Sequence, residues 1–142
     1  MPAVKEPRLP SGPLPRFLEG YARRLSRAEL AVEREVHGVN AGITSYTTPA
    51  QADALAKALG LARGVRMLDV GAGSGWPGVY LTKKTGCDAV LTDVPATAIR
   101  TAAARAVQQR VHVGCRFAVA SGTHLPFRPG SFDAVVHSDV LC

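Results

Sequence analysis

Asp69, Gly71, Gly73 and Gly75 stand at alternate positions within Met67–Leu81, which reads Met-Leu-Asp-Val-Gly-Ala-Gly-Ser-Gly-Trp-Pro-Gly-Val-Tyr-Leu. A turn of bare glycine backbone lets a ligand approach the main-chain N–H groups, and a helix start just beyond it presents its positive end. Asp93 closes the next apolar run, Ala89-Val90-Leu91-Thr92-Asp93, about 20 residues further on, where a carboxylate can accept hydrogen bonds from the hydroxyls of a ligand ribose. His124 and His137 carry imidazoles, the side chain most often used as a general base, and lie close to the same region in sequence. A lone histidine is more often structural, so neither is assigned as a base and the catalytic residue stays open. Cys87, Cys115 and Cys142 form an odd set without C-x-x-C spacing, which points to reduced thiols and to no metal site.

These residues need a frame. Met67–Val70 is a short apolar run of the kind that forms a buried parallel strand, and Pro77 suits the first turn of the helix that follows the glycines, ending near Gly86. The second strand, 89–93, leads into an alanine-rich helix over about Ala96 to Gln109, with Arg100, Arg105 and Arg110 placed on its exposed positions. A third strand (116–120), a loop (121–131) and a fourth strand (132–137) complete the pattern. Strands alternating with helices predict an α/β fold with a parallel, Rossmann-like sheet and flanking helices.

The first half of the chain is helical and basic. Prolines at 2, 7, 10, 13 and 15 forbid a helix and predict a disordered lead over residues 1–15. From Leu14, apolar residues through Tyr21, Leu25, Ala28, Val32 and Val36 share one helical face, in a helix that is either continuous or broken at Ser26, where Ser26-x-x-Glu29 forms a capping box. It stops near His37-Gly38. It packs on the domain's side or forms a lid. Asn40–Thr48 is a loop, and Thr48-Pro49-Ala50-Gln51 starts a further helix that stops around Gly60. The chain is thus one domain over 16–142, helical over 16–60 and a sheet core over 61–142.

Composition narrows the classes. The 142 residues carry 17 basic and 11 acidic side chains, a net charge of +6. Without a recognition motif beside it, that excess reads as solvated helix faces, and no nucleic acid is expected. No apolar run approaches the ~20 residues of a membrane span, and no secretory leader is visible, so the reading is cytoplasmic.

Spacing separates two ligand classes that share a ribose. A dinucleotide fingerprint requires a third glycine where this chain has Trp76, which argues against a nicotinamide oxidoreductase. The pattern Asp69-x-Gly71-x-Gly73-x-Gly75 resembles instead the glycine motif of class I S-adenosylmethionine-dependent methyltransferases. Two further segments are similar to that family: Leu125-Pro126-Phe127 followed by Gly130-Ser131-Phe132-Asp133, and then Ser138-Asp139-Val140-Leu141. The resemblance runs from about Thr48 to Cys142, and the branch it looks most like methylates quinones and sterols.

The resemblance implies S-adenosylmethionine as cofactor, a small-molecule acceptor and strand order 3-2-1-4. It places Gly71, Gly73 and Gly75 along the methionine half and Asp69 toward the ammonium group, directly or through water. It sets Asp93 on the ribose, Val94 against the adenine, and Ser138 at the cleft near the sulfonium. Asp133 reads as structural. Where the family usually has an acid for the adenine amino group this chain has Ser121, an uncharged acceptor, with the Gly122 N–H beside it.

Family members usually carry seven strands, so a sheet of about four is incomplete relative to them. The fourth strand would be a bare edge, which predicts self-association, completion by another chain, or a longer native chain. The alternative functions are a non-catalytic or partner-completed S-adenosylmethionine-binding module and, more remotely, an NAD(P)-dependent oxidoreductase.

Overall fold

The computed structural model describes Gly20, Tyr21 and residues 25–140. The proline-rich lead and the predicted helical positions Leu14, Phe17 and Leu18 lie outside the described residues. Among the described residues Gly20 and Tyr21 are helical, and from residue 25 on the elements are, in order, α1 (Arg27–His37), α2 (Pro49–Ala58), β1 (Arg66–Val70), α3 (Gly78–Thr85), β2 (Asp88–Asp93), α4 (Ala96–Gln108), β3 (Cys115–Val119) and β4 (Ala134–His137). Among the described residues no helix is long and apolar enough to cross a membrane.

Local sequence sets most of these boundaries. The Ser26 hydroxyl accepts from the Glu29 N–H while the Glu29 carboxylate accepts from the Ser26 N–H, so the amphipathic stretch breaks at Ser26 rather than running on. Thr48 and Gln51 make the same reciprocal pair ahead of α2, with Pro49 in its first turn. β4 begins at Ala134, two residues later than its apolar run begins, and Asp133 leads into it. Its backbone N–H donates to the Arg66 carbonyl, and its carboxylate accepts from the Arg66 backbone and guanidinium at 2.9–3.1 Å. That guanidinium holds the Asp133 carboxyl down to about 2. Asp133 thereby stitches β4 to the start of β1.

The sheet is wholly parallel in the order β3-β2-β1-β4, with Asp69 opposite Leu91 on one side and Val136 on the other. Met67, Leu68, Asp69 and Leu91 are buried in its two central strands, as expected of a sheet covered on both faces. The face of α4 that meets the sheet is Ala98, Ile99, Ala102 and Ala106; three alanines allow a close approach. The strand order and the predicted α/β class agree with the sequence reading.

Candidate functional site

The carboxyl ends of β1 and β2 are joined by the loop 71–77, and backbone groups do most of the joining. The Gly71 and Ala72 N–H groups both donate to the Thr92 carbonyl, at 2.8 and 2.9 Å. The Gly73 N–H donates to the Asp93 carboxylate at 2.7 Å, and the other Asp93 oxygen accepts from the Val94 N–H at 2.7 Å. Burial pushes the Asp93 carboxyl up, against the pull of these two N–H groups. Gly71 and Gly73 have φ of 72° and 52°, in the left-handed region that only glycine enters at no cost. A Cβ at Gly71 would collide with Val140, and one at Gly73 would lie 3.0 Å from the Tyr21 ring. Gly75 differs from both. Its missing side chain makes room for Val79 of α3 and Ala102 of α4, so it serves helix packing as well as the turn.

Asp69 lies beneath this loop and is fully buried. One carboxylate oxygen accepts from the Gly78 N–H at 3.0 Å at the start of α3, and the other has no hydrogen-bond partner. Burial pushes its pKa up to about 7; the Gly78 N–H opposes that rise and the nearby charge of Asp93 adds to it. An unpaired, enclosed carboxylate oxygen is costly unless a donor or cation meets it.

The remaining sequence-predicted positions gather at the same end of the sheet. The Ala120 N–H donates to the Asp93 carbonyl at 3.0 Å, which brings Ser121 and Gly122 beside the end of β2. The Ser121 hydroxyl bonds to the Thr123 hydroxyl at 2.8 Å, and a Cβ at Gly122 would meet only Val70, at 3.1 Å. Val94 is partly exposed just past β2. Ser138 follows β4 and sits in a cluster of hydroxyls, 2.6 Å from that of Thr47 and 3.0 Å from that of Ser45. His124 bonds to the Thr123 hydroxyl, and His137 ends β4 on an exposed position. Neither hydrogen-bonds to Asp69 or Asp93.

Three features escaped the sequence reading. The loop 40–48 is a strap tied to both ends of the site: the Trp76 indole N–H donates to the Thr47 carbonyl at 2.9 Å, and the Tyr46 N–H to Asp139 at 2.9 Å. Tyr21 lies over Gly73, with its phenol pushed up by burial and by the charge of Asp93. Arg105 is the third, and corrects an expectation. It was assigned an exposed position on α4, yet it is largely enclosed, donating to the Ser74 carbonyl at 2.6 Å and the Gly42 carbonyl at 2.9 Å. Burial pulls its pKa down, and Glu33 opposes that. The available signal was its place in a polar row, 101, 105 and 109, along an otherwise alanine-rich helix.

Cavities of about 520 and 510 Å³ lie on the helical flanks, one beside Tyr80, Lys83 and Lys84 and one along Val32, Val36 and Ile43. The chemistry favours the strand ends instead, where two acids and the glycine loop converge under Tyr21 and Val140.

Several solved structures share this fold. A geranyl diphosphate C-methyltransferase from Streptomyces coelicolor, crystallised with S-adenosylhomocysteine, superposes with a TM-score of 0.62 at 19% identity, covering 91% of this chain and 55% of its own. A SAM-dependent methyltransferase from Geobacter sulfurreducens, also with S-adenosylhomocysteine, gives 0.51 at 26% identity over 63% of this chain and 34% of its own. The cyclase SpnF gives 0.57 at 27% identity, over 61% and 32%. The chain thus spans between about a third and somewhat over half of the length of these proteins. No curated protein sequence matches it. A family described as a methyltransferase domain matches residues 68–142, more than half of the chain, from the second residue of the buried β1 run through the glycine loop to Cys142. By that match the chain belongs to the methyltransferase-domain family.

Proposed function

We propose that the chain binds S-adenosylmethionine on the ledge formed by the glycine loop and Asp93, and passes its methyl group to a small-molecule acceptor. The observation that carries this reading is the 2.7 Å bond from the Gly73 N–H to Asp93, which fixes the acid and the bare loop as one surface at the ends of β1 and β2. The residues present fit the cofactor. Gly71 and Gly73 leave bare backbone beneath Val140 and Tyr21, side chains that the cofactor would have to displace or pack against, and Asp69 keeps one buried oxygen without a partner for a cationic group, reached directly or through water.

In this reading Asp93 accepts from the ribose hydroxyls with the lone pairs left after its two backbone bonds. Val94 packs against the adenine, Ser121 accepts from the adenine amino group and the Gly122 N–H donates beside it. Gly71, Gly73 and the turn at Gly75 border the methionine half, and Ser138 closes the cleft. S-adenosylmethionine supplies a methyl group already activated on a sulfonium. The protein's task is then to align the acceptor and exclude water, so that positioning carries the catalysis and no base is assigned. In this reading the N-terminal helical part and the sheet core act as one unit, in a cytoplasmic setting.

The likeness of SpnF, a cyclase, to this chain keeps a second reading in view: a module that binds S-adenosylmethionine without transferring its methyl group. β4 is an edge of the described sheet and Val135 is 56% exposed on it, which favours a homodimer or completion of the site by further polypeptide across that edge. Trp76, the only tryptophan, sits in the loop and is 2% exposed. Titration with S-adenosylhomocysteine is expected to change its fluorescence, and NAD is expected neither to do so nor to compete. No response at millimolar S-adenosylhomocysteine, or displacement by NAD, overturns the cofactor reading. Methyl transfer from radiolabelled cofactor to a panel of small acceptors separates the enzyme from the binding module.

A further inference from the structure

Three residues at one-turn intervals, two on α4 and the third its C-cap Gln109, each donate to a backbone carbonyl of the N-terminal half. The Thr101 hydroxyl donates to the Tyr21 carbonyl at 2.8 Å, Arg105 Nη1 to the Gly42 carbonyl at 2.9 Å, and Gln109 Nε2 to the Asn40 carbonyl at 3.1 Å. Residues four apart stack along one helix face, so the row is a single seam on which the N-terminal half docks. Only the central member also reaches the glycine loop. Arg105 Nη1 donates to the Ser74 carbonyl at 2.6 Å and to its hydroxyl at 3.2 Å. Across the strap, Glu33 accepts from the Ile43 N–H at 2.7 Å, so Gly42 and Ile43 are gripped from α4 and α1 together. Gly42 has φ of 65°, and a Cβ there would collide with the guanidinium.

We propose that Arg105 is a positioning residue for the candidate cofactor site, holding Ser74 of the glycine loop and Gly42 of the strap in register through one guanidinium nitrogen. It touches no ligand. A planar, permanently charged group suits the task because it serves several carbonyl acceptors at once from an enclosed position. The consequence is directional. Removing it frees the peptide just after Gly73, whose N–H is bonded to Asp93, and takes one of the holds from the strap whose Thr47 carbonyl caps the Trp76 indole. The loop loses its set shape while the sheet, built on other bonds, persists.

The inference rests on the cofactor reading for its binding arm only, and is tested with the full chain. Arg105→Gln is expected to weaken S-adenosylhomocysteine binding roughly tenfold or more, the scale of losing hydrogen bonds to a charged group. In the same variant without ligand, Trp76 emission shifts to the red, and amide hydrogen exchange rises at 74–76 and 42–47 but not within β1 and β2. Arg105→Lys recovers part of both effects. Gln109→Ala releases Asn40 and the Lys83 ammonium, neither of them in the glycine loop, and leaves binding and Trp76 unchanged. Should Arg105→Gln fail to fold, Gly42→Ala displaces the guanidinium from the strap side and carries the same readouts; loss of the whole fold in both variants overturns the proposal in favour of a purely structural role. So does unchanged loop exchange and Trp76 emission in Arg105→Gln. If the parent chain binds no S-adenosylhomocysteine, the cofactor reading fails while the exchange and fluorescence arms still decide the role of Arg105.

Discussion

At the β1–β2 end of the site nearly every contact is made by the backbone or by a buried acid: Thr92 receives two loop N–H groups, Asp93 receives a third, and Asp69 receives the start of α3. At the β4 end, contacts are made by small side chains from a distant loop, with Ser138 held by Ser45 and Thr47 and with Val135 and Val140 partly exposed. The first arrangement is fixed by local sequence and cannot change without disturbing the core. The second depends on side chains converging from segments some ninety positions apart and tolerates change. A fold that hosts different reactions on a shared frame is expected to be built this way, with an invariant ledge on one side and an adaptable wall on the other.

The largest expected effect breaks the buried side. Asp69 ionises near 3.8 in the unfolded chain and about 7 when folded, so the folded state holds its proton longer and stability falls as pH rises from about 4 to 7. Asp69→Asn removes that fall. It is expected to gain up to about 4 kcal/mol over the parent above pH 7 and little below pH 4, read by denaturant unfolding across pH. Parallel pH profiles for the two proteins would show that Asp69 is not the strained group described.

Gly78→Ala sharpens the same contrast. Its Cβ would lie 2.5 Å from the Asp69 carboxylate and 2.9 Å from Leu91, where nothing can yield, so a loss of about 1–3 kcal/mol is expected. Ser138→Ala, at the adaptable end, is expected to cost under about 1 kcal/mol. Equal losses in the two variants would erase the distinction between the ends. At the adenine position the effect is on binding rather than on stability: Ser121→Asp is expected to tighten S-adenosylhomocysteine binding by up to about 1 kcal/mol, because a charged acceptor bonds more strongly than a hydroxyl. Calorimetry that finds no gain removes Ser121 from the site.

The same contrast explains what could be read from the amino-acid order. The glycine turn between strand and helix, Asp93 at the end of β2 and the capping boxes at Ser26 and Thr48 were legible because each depends on neighbours within a few residues or on the parallel α/β pattern, and the strand order followed from the family resemblance. The strap was not. Ser45, Thr47 and Arg105 carry residue types common on surfaces, and only the folded chain brings Arg105 against Gly42 and Ser74. Arg105 was misplaced for a physical reason: charge on an alanine-rich helix normally faces water, and here three backbone and side-chain acceptors replace it. Phe132 and Asp133 read as strand residues, while in the structure β4 begins at Ala134 and Asp133 ties its start to Arg66 of β1.

The central claim is that Asp93 and the glycine loop form the cofactor ledge, and calorimetric titration of S-adenosylhomocysteine into the parent chain and into Asp93→Ala tests it most directly. The account expects saturable binding by the parent and a loss of about 1.5–3 kcal/mol in the variant, with the sheet still folded. Absence of binding at millimolar ligand, or equal affinity in the two proteins, would contradict it.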